Sequence, residues 1–350
     1  MTVMFTGGCE MARILGPKEI SERAKRFRFP DFMRFEAVSE GLSSCEMLTA
    51  GRAGLEVEAA RFGRKVFVNL PEAGDVAHAA ELAYELIEKE IRVRKGPEYD
   101  FMAIFTPTQM MTRTMHRLYA RQEAALEWRE SYCIRPDWEG TRIAAPKGYS
   151  LEWLSSDLLA GNLANTDELL EEMISERPSV EDFLDKGFGI CAVKGREIAG
   201  WCLSEYNNSE GCEIGIGVMK EHRHKGLASA MTSLFLKEAA LRGAGKVGWD
   251  CHRQNAPSWR TAQKAGFTLS SSYPTVLICK DRTMQYGANG NIALRDGDGD
   301  AALAWYKRAA ARGDAPYWVF INMAQVQAIT GDIRLVMEAF EGLKCARYDE

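Results

Sequence analysis

The first half of the chain alternates between segments with helical apolar spacing and short apolar runs typical of strands. The clearest is 73–92, where Val76, Ala80, Leu82, Leu86 and Ile87 come close to one stripe of a 3.6-residue period. The pattern predicts helices at 17–27, 73–92 and 107–128, and strands at 65–70 and 99–105. We therefore expect an N-terminal α/β domain over residues 1–142.

A connector rich in Pro and Gly at 134–150 separates this half from a second, denser pattern. Thr166 and Ser179 each precede acidic residues and an apolar stripe, which predicts two capped helices. The predicted strands are 149–154, 188–194, 197–206, 212–219, 246–252 and 267–279, with helices at 226–242 and 255–266. These elements predict a second α/β domain at 143–283.

The last part of the chain reads as a linker followed by helices. Gly and Asn residues at 286–291 predict the linker, and helices are predicted at 299–312, 315–329 and 331–342. The helices of 290–350 resemble a tetratricopeptide-like pair, too short for a solenoid, so we expect a packing or dimerisation element. "RDGDGD" is a poor calcium loop, because Ala301 and Lys307 stand where glycine and glutamate are required. Asp300 is instead predicted to cap a helix.

Composition and charge narrow the functional classes. The 350 residues carry a net charge of −5 and have a pI near 5.8, which argues against a general nucleic-acid or lipid surface. No apolar run reaches the roughly 18 residues of a membrane span, and the start lacks a signal-peptide pattern. The nine cysteines are scattered without a CxxC pair. We expect a cytoplasmic protein with reduced thiols, no membrane contact and no nucleic-acid partner.

One basic stretch, "GVMKEHRHKGLASAM" at 217–231, stands out against this acidic background. A metal site of His222, His224, Cys251 and His252 lacks a familiar ligand spacing, and the neighbouring cations would repel the ion. A Walker loop fails because His222 occupies the place of its second glycine. A phosphate site fits better, since a strand passes through this loop into a helix N-terminus near Gly226. An ordinary basic hairpin exit stays open as the alternative.

"VMKEHRHKGLASA" resembles the acyl-CoA signature of the GNAT superfamily of N-acetyltransferases, Arg/Gln-x-x-Gly-x-Gly/Ala. Arg223, Gly226 and Ala228 take its three places, and Val218 stands five residues before the Arg. Downstream, Asn255 and the pair Gly266-Phe267 match a second superfamily feature. The resemblance covers 149–281 and looks closest to the bacterial subgroup that includes zwittermicin-resistance acetyltransferases.

The resemblance implies a mixed, mostly antiparallel sheet flanked by helices, whose fourth and fifth strands part to admit acetyl-CoA as acyl donor. From the ligand spacing discussed above, we expect no metal. Residues 223–229 would cradle the pyrophosphate, and the backbone of 216–218 would hold the pantetheine arm. The cofactor-binding residues expected on this basis are Ile216, Val218, Arg223, His224, Lys225, Gly226, Leu227, Ala228, Ser229, Asn255 and Ser258.

Catalysis would need a base, because an amine is mostly protonated at neutral pH. We predict Glu213 as that base, since Glu213, Gly215 and Gly217 alternate onto one strand face that the glycines leave open. A solvated hairpin residue is the alternative for Glu213. An amide near Val218 is expected to stabilise the oxyanion.

Many superfamily members place a Tyr four residues before the Gly-Phe as the acid, where this chain has Ala262. Ser258, Cys251, Tyr206 and Tyr273 are the candidates to protonate the leaving thiolate.

The sequence thus predicts an acetyl-CoA-dependent N-acetyltransferase acting on a small-molecule amine. The alternative is a non-catalytic acyl-CoA-binding regulatory or interaction protein. The helical tail is expected to support a homodimer or to bind a partner.

Overall fold

The computed structural model describes residues 12–27, 29, 33–52, 55–69, 75–136, 143–330 and 339. The strands are β1 Arg13–Ile14, β2 Glu46–Arg52, β3 Leu55–Phe62, β4 Lys65–Asn69, β5 Phe101–Phe105, β6 Ala125–Ile134, β7 Ser150–Trp153, β8 Gly189–Lys194, β9 Glu197–Glu205, β10 Gly211–Val218, β11 Lys246–His252 and β12 Thr268–Cys279. The helices are α1 Pro17–Ala24, α2 Arg34–Ser39, α3 Val76–Leu86, α4 Gln109–Leu118, α5 Ser156–Leu159, α6 Thr166–Ser175, α7 Val180–Lys186, α8 Leu227–Leu241, α9 Ala256–Lys264, α10 Arg282–Arg295, α11 Gly299–Ala310 and α12 Tyr317–Thr330.

The chain folds into two compact units whose boundaries do not follow its order. The first takes the described residues of 12–14, 48–128 and 274–330, and the second takes those of 15–47 and 129–273. Strands β6 and β12 therefore contribute residues to both units. The predicted division at 142 and 290 differs from this arrangement, because residues 15–47 join the unit predicted to begin at 143 and the tail joins the unit of β2–β5.

In the first unit the strand order is β1-β2-β3-β4-β5-β12. Strands β3 and β4 pair in antiparallel fashion, whereas β4 and β5 run parallel from Lys65–Ala103 to Phe67–Phe105. Helices α3 and α4 pack on this sheet through an apolar core that includes Leu48, Val66, Leu86, Ile104 and Met115.

In the second unit the order is β6-β11-β10-β9-β8-β7. All of its ladders are antiparallel except β10 with β11, which pair only from Gly211–Lys246 to Glu213–Gly248. One apolar core lies under α8 and α9, and another lies under α6 and α7. The mixed, mostly antiparallel sheet with flanking helices confirms the predicted fold class.

The two halves of the sequence repeat one order of elements. The strands β2–β3–β4, helix α3, strand β5 and helix α4 have their counterparts in β8–β9–β10, α8, β11 and α9. In each half the strand after the long helix pairs in parallel with the strand before it. The sequence pattern did not indicate this repeat, because β2, β3 and β6 had not been predicted.

The segment 286–291, predicted as a linker, lies inside helix α10. Its glycines Gly287 and Gly290 are buried, and a Cβ on either would overlap the rings of Trp318 and Tyr306 respectively. They are therefore contact points for aromatic rings from α11 and α12, which explains why a helix carries residues of low helix propensity.

Three further predictions were wrong in detail. The predicted helix 107–128 ends at Leu118, and strand β6 begins at Ala125. Asp298, not Asp300, caps α11 by accepting a hydrogen bond from the Ala301 amide at 2.9 Å. Asn165 in a left-handed conformation precedes α6, and the Thr166 hydroxyl donates to the Leu163 carbonyl instead of capping. The prediction for 331–342 lies outside the described residues apart from the helical residue 339.

We expect Gly290→Ala to lower the melting temperature by several degrees, because the added methyl must displace the Tyr306 ring. Overpacking of this kind costs about 1–3 kcal/mol. Gly299→Ala is the matched control, since its Cβ would meet Val326 at an ordinary 3.6 Å. Differential scanning fluorimetry of both variants tests this, and equal melting temperatures would show that the ring contact does not constrain α10.

Candidate functional site

A cavity of about 750 Å³ in the second unit lies between the end of β10, the start of α8, β11 and α9. Its lining is Ile216, Gly217, Val218, His222, Arg223, His224, Gly226, Leu227, Ala228, Ser229, Trp249, Asn255, Pro257, Ser258, Arg260, Thr261 and Lys264. Ten of the eleven predicted cofactor-binding residues are in this set, and Lys225 is not. The Lys225 ammonium donates to the Glu221 carbonyl at 2.8 Å and lies 5.9 Å from the centroid of the Tyr149 ring.

One wall of the cavity is the open edge of β10. Beyond Glu213 the strand stays paired with β9 as far as Val218–Gly200, but its described register with β11 has ended. The Arg223 Nε donates to the Val218 carbonyl at 3.0 Å, so the loop folds back onto the end of this strand. The backbone of 216–218 thus faces the cavity without a neighbouring strand there, and such polar groups need a partner.

A second wall is the N-terminus of α8. Gly226 occupies the cap position with φ +84°, and no side chain caps the helix. His224 is also left-handed, with φ +61°. The amides of Leu227, Ala228 and Ser229 belong to the first turn, whose N–H groups have no acceptor within the helix. With the helix dipole behind them, these amides form an anion-binding position.

Helix α9 forms the opposite wall. The Asn255 side chain caps it by accepting from the Ser258 amide at 3.4 Å, and the Trp249 indole donates to the Ser258 hydroxyl at 3.0 Å. The hydroxyl oxygen of Ser258 accepts this bond, and the Ser258 side chain is also hydrogen-bonded to Cys251.

Helix α9 also supplies cations that the sequence analysis missed. Arg260 and Lys264 line the cavity together with Pro257 and Thr261. The spacing 257, 260, 261 and 264 marks one helix face, which was the signal in the sequence. With Arg223 and His224 across the cavity, the site has basic side chains on two sides.

His222 anchors the basic loop. It is buried, its Nδ1 lies 2.9 Å from the Tyr149 hydroxyl, and its Nε2 lies 3.3 Å from a Glu197 carboxylate oxygen. Within the part of the chain that the structure describes, no group of three or more His, Cys, Asp or Glu side chains is placed to hold a metal ion. Through its contacts with Tyr149 and Glu197, His222 fixes the position of the loop.

Glu213, the predicted base, is not among the residues that line the cavity. Only 4% of it is exposed, and its carboxylate accepts from the Met33 amide at 2.8 Å and from Arg34 Nη2 at 3.4 Å. The Arg34 guanidinium stacks 4.4 Å from the centroid of the Tyr206 ring. Burial lowers the pKa of Arg34, but the acidic groups that face it, Tyr206 and Glu213, raise it by more, so the pKa lies above its usual value and Arg34 remains a cation. The role of Glu213 as a base stays a prediction.

Ala262, which stands at the usual position of the acid, is fully buried. The four candidates for the acid lie in different places. The Tyr206 ring packs against the Arg34 guanidinium, and the Tyr273 hydroxyl donates to Asp250. Burial raises the pKa of the Cys251 thiol to about 11. Of the four, Ser258 is the one that lines the cavity.

Comparison with known families gives the same assignment. A family model described as GNAT acetyltransferase matches residues 65–276, which is more than half of the chain. The chain belongs to the GNAT acetyltransferase family. The match begins at β4 and so extends well upstream of the stretch whose motifs carried the resemblance.

Solved structures share the fold at low sequence identity. A GCN5-related N-acetyltransferase-like protein from Streptococcus suis has 17% identity, covers 75% of this chain and 100% of its own, and gives a TM-score of 0.54. A GCN5-related N-acetyltransferase from Sphaerobacter thermophilus has 16% identity, 79% and 97% coverage, and a TM-score of 0.53. A Drosophila protein has 11% identity, 77% and 98% coverage, and the same TM-score.

No curated protein matches the chain. The zwittermicin-resistance subgroup therefore stays a prediction.

The Cys251 geometry predicts a thiol that does not carry the acyl group. With a pKa of about 11, its thiolate fraction at pH 8 is about 0.1%, against roughly a quarter for an unperturbed thiol. We expect Cys251 in the folded protein to react with iodoacetamide about 100-fold more slowly than in urea, as measured by peptide mass spectrometry. Rapid labelling, or an acetyl group on Cys251 after incubation with acetyl-CoA, would contradict this.

Proposed function

We propose that the protein is an acetyl-CoA-dependent N-acetyltransferase that transfers an acetyl group to a primary amine of a small molecule by direct attack on the thioester. The observation that carries the proposal is the cavity itself. It joins an open strand edge at 216–218 to an uncapped helix N-terminus at Gly226. Family membership supports acetyl transfer, and the cavity supports the donor.

Different walls of the cavity fit different parts of acetyl-CoA. The first-turn amides of α8 and Arg223 would bind the pyrophosphate. Arg260 and Lys264 supply further charge for the remaining phosphate. The amides of the pantetheine arm would pair with the β10 edge, where a strand partner is missing.

The reaction removes two protons from the nitrogen and supplies one to sulfur. A base takes the ammonium proton, and the free amine attacks the thioester carbonyl carbon, forming a C–N bond. The nitrogen then loses its second proton, and the C–S bond breaks to release the thiolate of coenzyme A, to which the Ser258 hydroxyl would donate before it is reprotonated by water. A backbone amide near Val218 would stabilise the oxyanion.

A non-catalytic acyl-CoA-binding protein is the second candidate. Two observations favour it: the usual position of the acid is a buried Ala262, and Glu213 is held in an ion pair. Both proposals share the donor site and differ only in turnover.

Location and assembly remain proposals. No described helix is long and apolar enough to cross a membrane. We propose that the protein is cytoplasmic, accepts a small-molecule amine as substrate, and forms a homodimer or binds a partner through its helical tail.

We expect isothermal titration calorimetry to show acetyl-CoA binding that weakens about tenfold in Arg223→Ala, because a charge-assisted phosphate contact contributes about 1.5–3 kcal/mol. Lys225→Ala is the matched control from the same loop, and its affinity should stay within twofold, since Lys225 points away from the cavity. Equal losses in both variants would mean that general loop charge, rather than this cavity, binds the donor.

Turnover separates the two candidate functions. In a thiol-release assay over alkyl amines, polyamines and amino sugars, an enzyme should release coenzyme A in proportion to one acceptor, with the acetylated amine detected by mass spectrometry. Tight acetyl-CoA binding without acetylated product from any amine would favour the binding protein.

A further inference from the structure

The face of β10 that carries Glu213, Gly215 and Gly217 is covered by side chains from β9. Directly paired residues in antiparallel strands share a face, and the register pairs these three positions with Glu205, Leu203 and Trp201. The space over the two glycines was expected to be open. It instead holds an acid and an indole.

The carboxylate of Glu205 lies over Gly215. A Cβ built on Gly215 would overlap the Glu205 Oε1 and lie 2.9 Å from its Cδ. The side chain therefore leans from its own partner, Glu213, along β10 towards Ile216 and Gly217, which line the cavity. Glycine at 215 is what allows the carboxylate to reach this place.

Trp201 occupies the next position on the same face. A Cβ on Gly217 would lie 2.7–2.9 Å from its indole, including Nε1. Trp201 is 8% exposed, and its Nε1 has no hydrogen-bond partner among the described residues. A buried donor without an acceptor costs free energy, which a polar acceptor molecule bound on this face would recover.

Glu213 and Glu205 differ in how their carboxylates are placed. The two oxygens of Glu213 accept from Met33 and Arg34 respectively, and the residue is buried. Glu205 is partly exposed, and its carboxylate lies over Gly215. Neither carboxylate is among the residues that line the cavity, but that of Glu205 lies nearer along β10 to Ile216 and Gly217, which do line it. A general base must come within hydrogen-bond distance of the proton that it removes, and Glu205 is the better placed of the two.

Several elements supply the charged groups that act on Tyr206, the residue after Glu205. They are Arg34 on α2, Glu176 directly after α6, Glu205 at the end of β9 and Glu213 on β10. Burial raises the pKa of Tyr206 well above its usual value, so its hydroxyl stays neutral. The one cation of this described group, Arg34, is paired with Glu213.

We infer that Glu205, rather than Glu213, is the catalytic base, and this inference rests on the proposed function. The Glu205 carboxylate takes a proton from the acceptor ammonium, and the freed nitrogen pair forms the C–N bond. The nitrogen then gives up its second proton as the C–S bond breaks, and the leaving thiolate takes up one proton to become the thiol of coenzyme A. Glu213 is a positioning residue, which holds Arg34 and the chain at Met33 against the same face.

The test compares Glu205→Gln with Glu213→Gln across pH, using the best amine from the turnover screen. General-base assistance is worth about 10²–10⁴-fold. We expect Glu205→Gln to lower kcat/KM at pH 7 by about 100-fold or more, with unchanged acetyl-CoA affinity. The deficit should shrink as the pH approaches the pKa of the acceptor amine, because a neutral amine needs no base.

Glu213→Gln should act differently. It leaves the buried Arg34 cation without its charged partner, which is destabilising, so its melting temperature should fall while its kcat/KM keeps the wild-type pH profile. Glu205→Asp, which withdraws the carboxylate by one methylene, should recover part of the lost rate.

Three results would overturn the inference. Turnover unchanged in Glu205→Gln, or a pH-dependent deficit in Glu213→Gln instead, would do so while leaving the proposed function intact. Acetyl-CoA binding by the wild-type protein without turnover of any amine would remove the enzymatic function, and this inference with it.

Discussion

The early end of pairing between β10 and β11 is the constraint on which the site depends. The two strands share three residue pairs and then part, while β10 stays paired with β9 for five more residues. One edge of 214–218 is therefore paired with β9, whereas the other has no described strand pairing, and there the Val218 carbonyl accepts from Arg223 Nε. Unpaired backbone groups at such a position need a partner, and an extended ligand with amides of its own can supply one. The cavity, the helix that starts beyond it and the glycine-bearing face all follow from this separation.

The repeated order of elements shows that parting of two parallel strands does not by itself produce an anion-binding site. In the first half, β4 and β5 also run parallel, and their described pairing ends at Phe67–Phe105. Helix α3, which follows β4, is capped by Asp75, whose carboxylate accepts from the Ala77 amide at 2.9 Å. The Asp75 carboxylate occupies the place at the helix N-terminus where an anion would bind, and its negative charge would repel that anion. Helix α8 has Gly226 there instead, with no side-chain cap. The sequences before the two helices, "LPEAGD" and "EHRHKG", differ in charge in the same sense.

Features that depend on residues close together in the chain, such as helix caps and the basic loop, were predicted best from the sequence. Ser179 caps its helix as its position indicated, and Arg223, Gly226 and Ala228, which the motif grouped, line one cavity. The failures involve distant partners. Gly287 and Gly290 resemble a linker until Trp318 and Tyr306 are in place. Met33 and Arg34 reach Glu213 across about 180 residues. The place of Glu205 over Gly215 depends on strand register and on a side-chain direction, and neither is legible in a sequence.

The main effect of the Arg34–Glu213 pair is to fix the position of α2 against β10 rather than to stabilise the fold. Removing two charges from water costs several kcal/mol, and their attraction returns little beyond that. Its geometric effect is larger. It ties the start of α2 to the face of β10 and places the guanidinium over the Tyr206 ring. Tyr206 has φ +49°, a left-handed conformation that costs a non-glycine residue of order 1–2 kcal/mol. Arg34 helps to hold this bend, which ends β9 directly after Glu205. The same buried pair that withdraws Glu213 from the cavity thus fixes the strand end from which Glu205 extends over Gly215.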